Sequence, residues 1–130
     1  MTTQARILVV DDEEDVLMIA RRILEKWGYI VDTFNKPDRA LGHFERNSQA
    51  YDLILCDVRM PILSGFEFAA LVRRVNPTIK LLLMTAFEAD SDTLKQFLST
   101  VKIDDMLKKP YVITDICKIV DRHLTKLNGR

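Results

Sequence analysis

Apolar positions along the chain switch between two periods. Short, nearly continuous apolar runs recur at 6–10 (RILVV), 29–34 (YIVDTF), 52–56 (DLILC), 79–84 (IKLLLM) and 103–107 (IDDML). Runs of this length, followed by acids or turn residues, predict strands, with the last and most polar at an edge. Between them the apolar residues fall at helical spacing. Val16, Ile19, Ala20, Ile23, Leu24 and Trp27 predict the inner face of a first helix that Gly28 stops. Pro37 opens a second through Ala40, Leu41 and Phe44, and Phe66, Ala69, Ala70, Leu71 and Val75 trace a third ending before Pro77. Leu94, Phe97 and Leu98 mark a fourth; Ile113, Ile116, Cys117, Val120, Leu124 and Leu127 mark a fifth. Strand and helix alternating in this way predict an α/β fold, a parallel sheet covered on both faces through right-handed crossovers.

The chain of 130 residues, 48% hydrophobic and 29% charged, reads as a single domain over 1–130 with a core from about 6 to 127. The first few residues and the tail LTKLNGR are expected to fray. Its 19 basic and 19 acidic side chains cancel, so a function resting on a global field, such as direct nucleic-acid or anionic-lipid binding, is not expected. No apolar run reaches membrane-spanning length and MTTQAR lacks the apolar stretch of a secretion signal, so the expected location is cytoplasmic, without a membrane partner. Cys56 and Cys117 lack metal or redox spacing and read as small buried residues. His43, His123 and the arginine pairs at 21–22 and 73–74 read as solvent-side helix positions.

Local charge is the more informative quantity. Five acids in a row, Asp11 to Asp15, follow the apolar run ILVV. In an open parallel sheet ligands bind beyond the carboxyl ends of the strands. Asp11 and Asp12 follow the first strand, Asp57 ends the third, Thr85 ends the fourth, and Lys108, Lys109 and Pro110 follow the fifth. Carboxylates converging on one spot call for a hard divalent cation with oxygen ligands, for which Mg²⁺ is the natural candidate. Glu13 and Glu14 suit the first turn of the next helix, where the dipole favours negative charge. Singly, Asp11 or Asp12 is an ordinary helix cap and Lys109 an ordinary solvated lysine. Their placement at one end of different strands favours a shared site.

With these residues in place the sequence resembles the receiver domain of two-component response regulators, from about Arg6 to about Leu127. The motifs that carry the likeness are ILVVDDEED, DLILCDVRMPILSGFE, LLLMTAF and MLKKPY. The resemblance implies a flavodoxin-like, doubly wound (βα)5 sheet of five parallel strands in the order 2-1-3-4-5. It implies that Asp57 is the phosphoacceptor, Asp12 a direct Mg²⁺ ligand, Asp11 a second acid acting directly or through water, and the Arg59 carbonyl a further ligand, with Mn²⁺ as the other candidate ion. Thr85 matches the switch hydroxyl, Lys109 the lysine that pairs with the phosphoryl group, and Pro110 the proline after it; Gly65 suits a tight turn. Ala86 is small enough to leave water access to the acyl phosphate, flanked by Arg59 and Phe87. The implied activity is transfer from the phosphohistidine of a histidine kinase or phosphotransfer protein onto Asp57, with Mg²⁺-dependent self-phosphorylation and autodephosphorylation but no turnover of a conventional enzyme. The implied output is a downstream protein or a homodimer, engaged through the face of the fourth helix, fifth strand and fifth helix.

Two features depart from the family pattern. Met106 stands three residues before Lys109, where the family usually carries a switch aromatic; Phe87 and Tyr111 are the candidates to take that part, with simple packing or partial exposure as the other reading of both. The segment FEADSDTLKQFLSTVKIDD lacks the usual small pair and reads as slightly long. A phosphohydrolase with an aspartyl nucleophile is disfavoured because Arg59 occupies the place of its second acid. A flavodoxin-like cofactor carrier is disfavoured because acids stand where its phosphate loop would be. A phosphorylation-independent receiver-like interaction domain remains the alternative, kept open by Met106.

Overall fold

In the computed structural model the described residues are 4–85, 92–108 and 113–128, without the side chains of 92–94, 108, 113–115 and 125–128. The elements run β1 (Arg6–Val10), α1 (Glu14–Lys26), β2 (Ile30–Phe34), α2 (Pro37–Asn47), a 3-10 turn (Ser48–Ala50), β3 (Leu53–Asp57), α3 (Gly65–Val75), β4 (Lys80–Thr85), α4 (Asp92–Leu98), β5 (Asp105–Lys108) and α5 (Ile113–Asn128). All five strands are parallel, in the order β2-β1-β3-β4-β5, as the resemblance implied. The strands start within two residues of the runs that predicted them.

Between their polar end residues the inner strands are apolar because both of their faces are covered. Ile7, Val9, Leu53, Leu55, Leu82 and Met84 pack toward α1 and α5, whereas Leu8, Val10, Ile54, Cys56, Leu81 and Leu83 pack toward α2 and α3. Side chains on a strand alternate between faces, so a single run of residues feeds both clusters. At the end of α1, Gly28 adopts φ +98°, a conformation that favours glycine, and the Tyr29 N–H reaches back to the Leu24 carbonyl at 3.1 Å. The expected inner face of α1 holds at Ala20 and Leu24 and is corrected at Ile19 and Trp27. Leu17, Ala20 and Leu24 are buried, while Ile19 and Trp27 are 45% and 53% exposed. The helix carries apolar residues on several sides, so spacing alone does not choose the stripe; packing against α5 and the sheet does.

The solvent-side reading of His43, His123 and Arg73 is also corrected, because each meets a polar partner outside its own helix. His43 Nε2 lies 2.8 Å from the Tyr51 hydroxyl, which donates to Asp32 at 2.6 Å; Arg6 Nε donates to the same carboxylate at 2.8 Å. Burial alone would raise the Asp32 carboxyl, but the hydrogen bonds from Arg6 and Tyr51 overcome it and hold it below the ordinary carboxylate range. His123 lies 3.1 Å from Asp105, which Arg122 also reaches at 2.8 Å. Arg73 is largely withdrawn from water and pairs with Asp104 at 3.0 Å.

Tyr29 donates to Asp121 at 2.7 Å as Tyr51 does to Asp32, and in both cases burial, then the bond to the carboxylate, push the phenol well above its ordinary value. Of the three tyrosines, these two are therefore expected to stay protonated up to a pH of about 11, read by absorbance at 295 nm. The sign follows from linkage. The folded state holds both protons more tightly than the unfolded chain, so their contribution to stability is complete below pH about 10 and is lost as pH rises through the folded values. Two phenols titrating near 10 in the folded protein would contradict the assignment.

Candidate functional site

The site lies at the carboxyl edge of the sheet, where the backbone leaves the apolar layer. Asp11 directly follows β1 and is fully buried; Asp12 is exposed; Asp57 ends β3 at 4% exposure. One carboxylate oxygen from each lies within 4.8 Å of the others. Asp11 also accepts the Glu13 N–H at 2.9 Å, so it tethers the entry of α1 while facing the cluster. Tethering of the helix entry and clustering are therefore combined in one side chain, although the cap position itself falls to Glu13. Glu14 and Asp15 occupy the first turn of α1, and Glu13 is the residue before it, its side chain making no cap bond. This places Glu14 as expected and puts Glu13 one step outside the helix.

Thr85 ends β4 at 5% exposure, next to Met84, which pairs with Asp57 across the two strands. Arg59 is exposed, two residues beyond Asp57. Ala86, Phe87, Lys109, Pro110 and Tyr111 lie outside the described residues. Met106 is half-buried on β5 and packs against the cluster shared by α2 and α3. Thus the acidic trio is brought together, and Thr85 is placed at the same edge of the sheet.

The loop between β3 and α3 fixes Asp57 from behind. The Val58 N–H donates to the Met84 carbonyl at 3.0 Å, and the Gly65 N–H returns to the Val58 carbonyl at 2.8 Å. Between these pins the Leu63 N–H reaches the Pro61 carbonyl at 2.8 Å around Ile62, whose φ is +73°. This is a γ-turn with a β-branched residue at its strained centre, a cost of about 1–3 kcal/mol held by the anchored ends. Ile62 is 85% exposed, so burial does not offset that cost. α3 then starts on a capping box: Ser64 Oγ accepts from Glu67 N at 3.2 Å and Glu67 Oε1 accepts from Ser64 N at 3.0 Å.

Gly65 is needed for a different reason from the expected tight turn. A Cβ there would collide with the Asp57 carbonyl oxygen and lie 2.7 Å from Val58 Cα and 2.9 Å from the Asp57 carbonyl carbon. The helix start is seated directly on the backbone of the candidate acceptor, a contact that sequence spacing does not reveal. A groove of about 360 Å³ flanks this loop, lined by Val58, Arg59, Met60, Pro61, Ser64 and Phe66. A larger cavity of about 450 Å³ runs along β2 beside Arg6, Asp32, His43 and Tyr51 and contains none of the acidic trio. The acidic trio thus stands apart from this cavity.

The donor set suits a hard divalent cation. Three carboxylates within 4.8 Å, two of them nearly excluded from water, repel one another strongly without a counter-charge. All-oxygen ligation by carboxylates is what Mg²⁺ accepts, so the trio could hold it. Among the described residues no helix is long and apolar enough to cross a membrane.

Comparison with known proteins agrees with this geometry. The chain is 29% identical over 130 residues to the transcriptional regulatory protein RprY of Bacteroides fragilis, matching all of this chain and 53% of that protein. It spans about half or less of the length of such curated relatives. Among solved structures it superposes on the chemotaxis protein CheY4 of Vibrio cholerae with a TM-score of 0.82 at 29% identity, covering 92% of this chain and 98% of the other. The response regulator TrrA of Thermotoga maritima, solved with Mg²⁺ and BeF, gives 0.77 at 30% identity, covering 92% and 99%. Residues 7–121 match the family model described as the response regulator receiver domain, and with the acidic edge in place the chain belongs to that family.

Proposed function

We propose that this protein is the phosphoacceptor module of a two-component phosphorelay, taking a phosphoryl group onto Asp57 and changing its partner-binding face in response. The observation that carries the reading is the convergence of Asp11, Asp12 and the nearly buried Asp57 at one edge of the sheet. The donor is the phosphohistidine of a histidine kinase or a phosphotransfer protein. An Asp57 carboxylate oxygen attacks phosphorus, the P–N bond breaks, and an acyl phosphate forms while the imidazole leaves. Asp11, Asp12, Asp57 and the Arg59 carbonyl would hold Mg²⁺, or Mn²⁺ in its place. Bound there, the ion offsets the charge of the carboxylates and of the phosphoryl oxygens.

The chain's own residues supply the rest. Thr85 donates its hydroxyl to a phosphoryl oxygen, and Lys109 pairs with the developing negative charge. The apolar residues Met18 and Ile19 on the outer side of α1, 52% and 45% exposed, support docking of a protein donor beside Asp12. Output runs to a downstream protein or a homodimer through the face of α4, β5 and α5. Hydrolysis of the acyl phosphate by water resets the domain, so it has no turnover substrate of its own. The reading places this chemistry in the cytoplasm, where a kinase can reach it.

The test is phosphate-affinity electrophoresis after incubation with acetyl phosphate, with and without Mg²⁺, beside Asp57→Asn. A retarded band is expected only for the native protein with metal. A band that survives in Asp57→Asn would move the acceptor elsewhere. No band from a folded protein would overturn the reading in favour of a phosphorylation-independent interaction domain.

A further inference from the structure

We propose that Phe66 is a two-position side chain that reports the state of Asp57 to α4; the proposal rests on Asp57 being the acceptor. In the structure the Phe66 ring packs on Phe97 of α4, with centroids 4.4 Å apart and planes tilted by 41°. Phe66 also lines the groove of about 360 Å³ beside the loop that follows Asp57. A cavity of roughly 150 Å³ is enough to accept a benzene ring, so the groove offers Phe66 a second place. Switching requires such an element with two discrete arrangements.

The backbone of Phe66 is fixed while its ring has this choice. Gly65 is seated on the Asp57 carbonyl, and the Ser64–Glu67 capping box anchors the helix start. A change at Asp57 therefore reaches Phe66 over one residue of close contact. Arg59 lines the same groove, and a phosphoryl group at Asp57 adds about two negative charges that attract its guanidinium. Movement of the Arg59 side chain toward the phosphoryl group widens the groove, and the Phe66 ring moves into it and leaves Phe97.

α4 is poised to respond. It has seven residues, too few to be stable without packing, and Phe97 ties it to the cluster that also holds Val101, Ile103 and Met106. Met106 has the rotamer freedom to follow the change. The route from Asp57 to α4 thus runs through α3.

The experiment compares the native protein, Met60→Trp and Phe66→Leu, each with and without acetyl phosphate and Mg²⁺. Phosphate-affinity electrophoresis reads modification of Asp57, and amide hydrogen exchange reads residues 92–98. Met60→Trp fills the groove and leaves the Phe66–Phe97 contact in place; Phe66→Leu removes that contact. Phosphorylation of the native protein is expected to speed exchange in α4 roughly tenfold, the loss of one aromatic pair. Met60→Trp is expected to be phosphorylated with no change in α4, and Phe66→Leu to exchange fast in both states. A phosphorylated native protein with unaltered α4 exchange, or a full response in Met60→Trp, would overturn the proposal and leave the acceptor reading intact. Absence of the retarded band in the native protein would overturn both.

Discussion

Gly65→Ala is expected to lower the melting temperature by about 10 °C and to cut acyl-phosphate formation from acetyl phosphate by at least tenfold at temperatures where the protein is folded. The added methyl meets backbone on two residues, with Val58 Cα at 2.7 Å and the Asp57 carbonyl carbon at 2.9 Å, and neither can rotate away as a side chain would. Overpacking of this kind costs about 3 kcal/mol. Relief must come from moving either the start of α3 or Asp57, and the hydrogen bond from Gly65 to Val58 couples the two. Stability and phosphoryl acceptance should therefore fall together. The control is Gly42→Ala within α2, where the nearest atom is the flexible end of Arg46 at 3.6 Å. There alanine is expected to stabilise by up to about 1 kcal/mol through helix propensity. Thermal denaturation of the two variants separates steric collision from a general glycine effect, and equal shifts would remove the argument.

The second large effect is expected at Asp104, on the opposite side of the sheet from α5. Its Oδ2 accepts from Leu81 N at 2.8 Å and from Arg73 at 3.0 Å, while its own N–H donates to the Leu81 carbonyl at 2.9 Å. Arg73 spans the gap further by donating to the Ile79 carbonyl at 2.7 Å and the Lys102 carbonyl at 2.9 Å. With side chains 11% and 9% exposed, the pair is largely withdrawn from water. Asp104→Ala leaves a guanidinium without its counter-charge and a strand N–H without its acceptor, a loss of about 3 kcal/mol. Arg73→Met should cost a similar amount, and the double variant less than the sum by about 1–2 kcal/mol. Urea denaturation of all four proteins measures that coupling. Additive losses would show that the two side chains act independently.

The legible parts of the molecule were those written by local pattern. Strand runs, the proline that opens α2, and the acids after β1 and at the end of β3 each depend on residues close in sequence. Misplaced residues were those whose surroundings come from far along the chain. Arg73 looked like half of a solvated pair because nothing near it announces Asp104, and His123 on α5 looked exposed because Asp105 reaches it from β5. On α1 the reading took Ile19 and Trp27 in place of Leu17 because they are as apolar, and packing against α5 and the sheet decides between them. At the candidate site, residue type and strand position pointed to Asp11, Asp12 and Asp57, whereas the seating of Gly65 on the Asp57 backbone depends on a close approach that no spacing encodes.

The strand order has a consequence for how the molecule is made. Once β1 and β2 pair, each later strand joins the same open edge in the order of synthesis, β3 on β1, then β4, then β5. A chain emerging from the ribosome with its N-terminus first can lengthen the sheet without undoing an earlier pairing. Burial does not keep that order. Ile116, Val120 and Leu124 of α5 complete the cluster begun by Leu17, Ala20 and Leu24 of α1. The earliest helix must wait for the fifth before its face of the sheet is sealed, so through most of translation one side of the nascent domain presents an apolar surface that chaperones can hold.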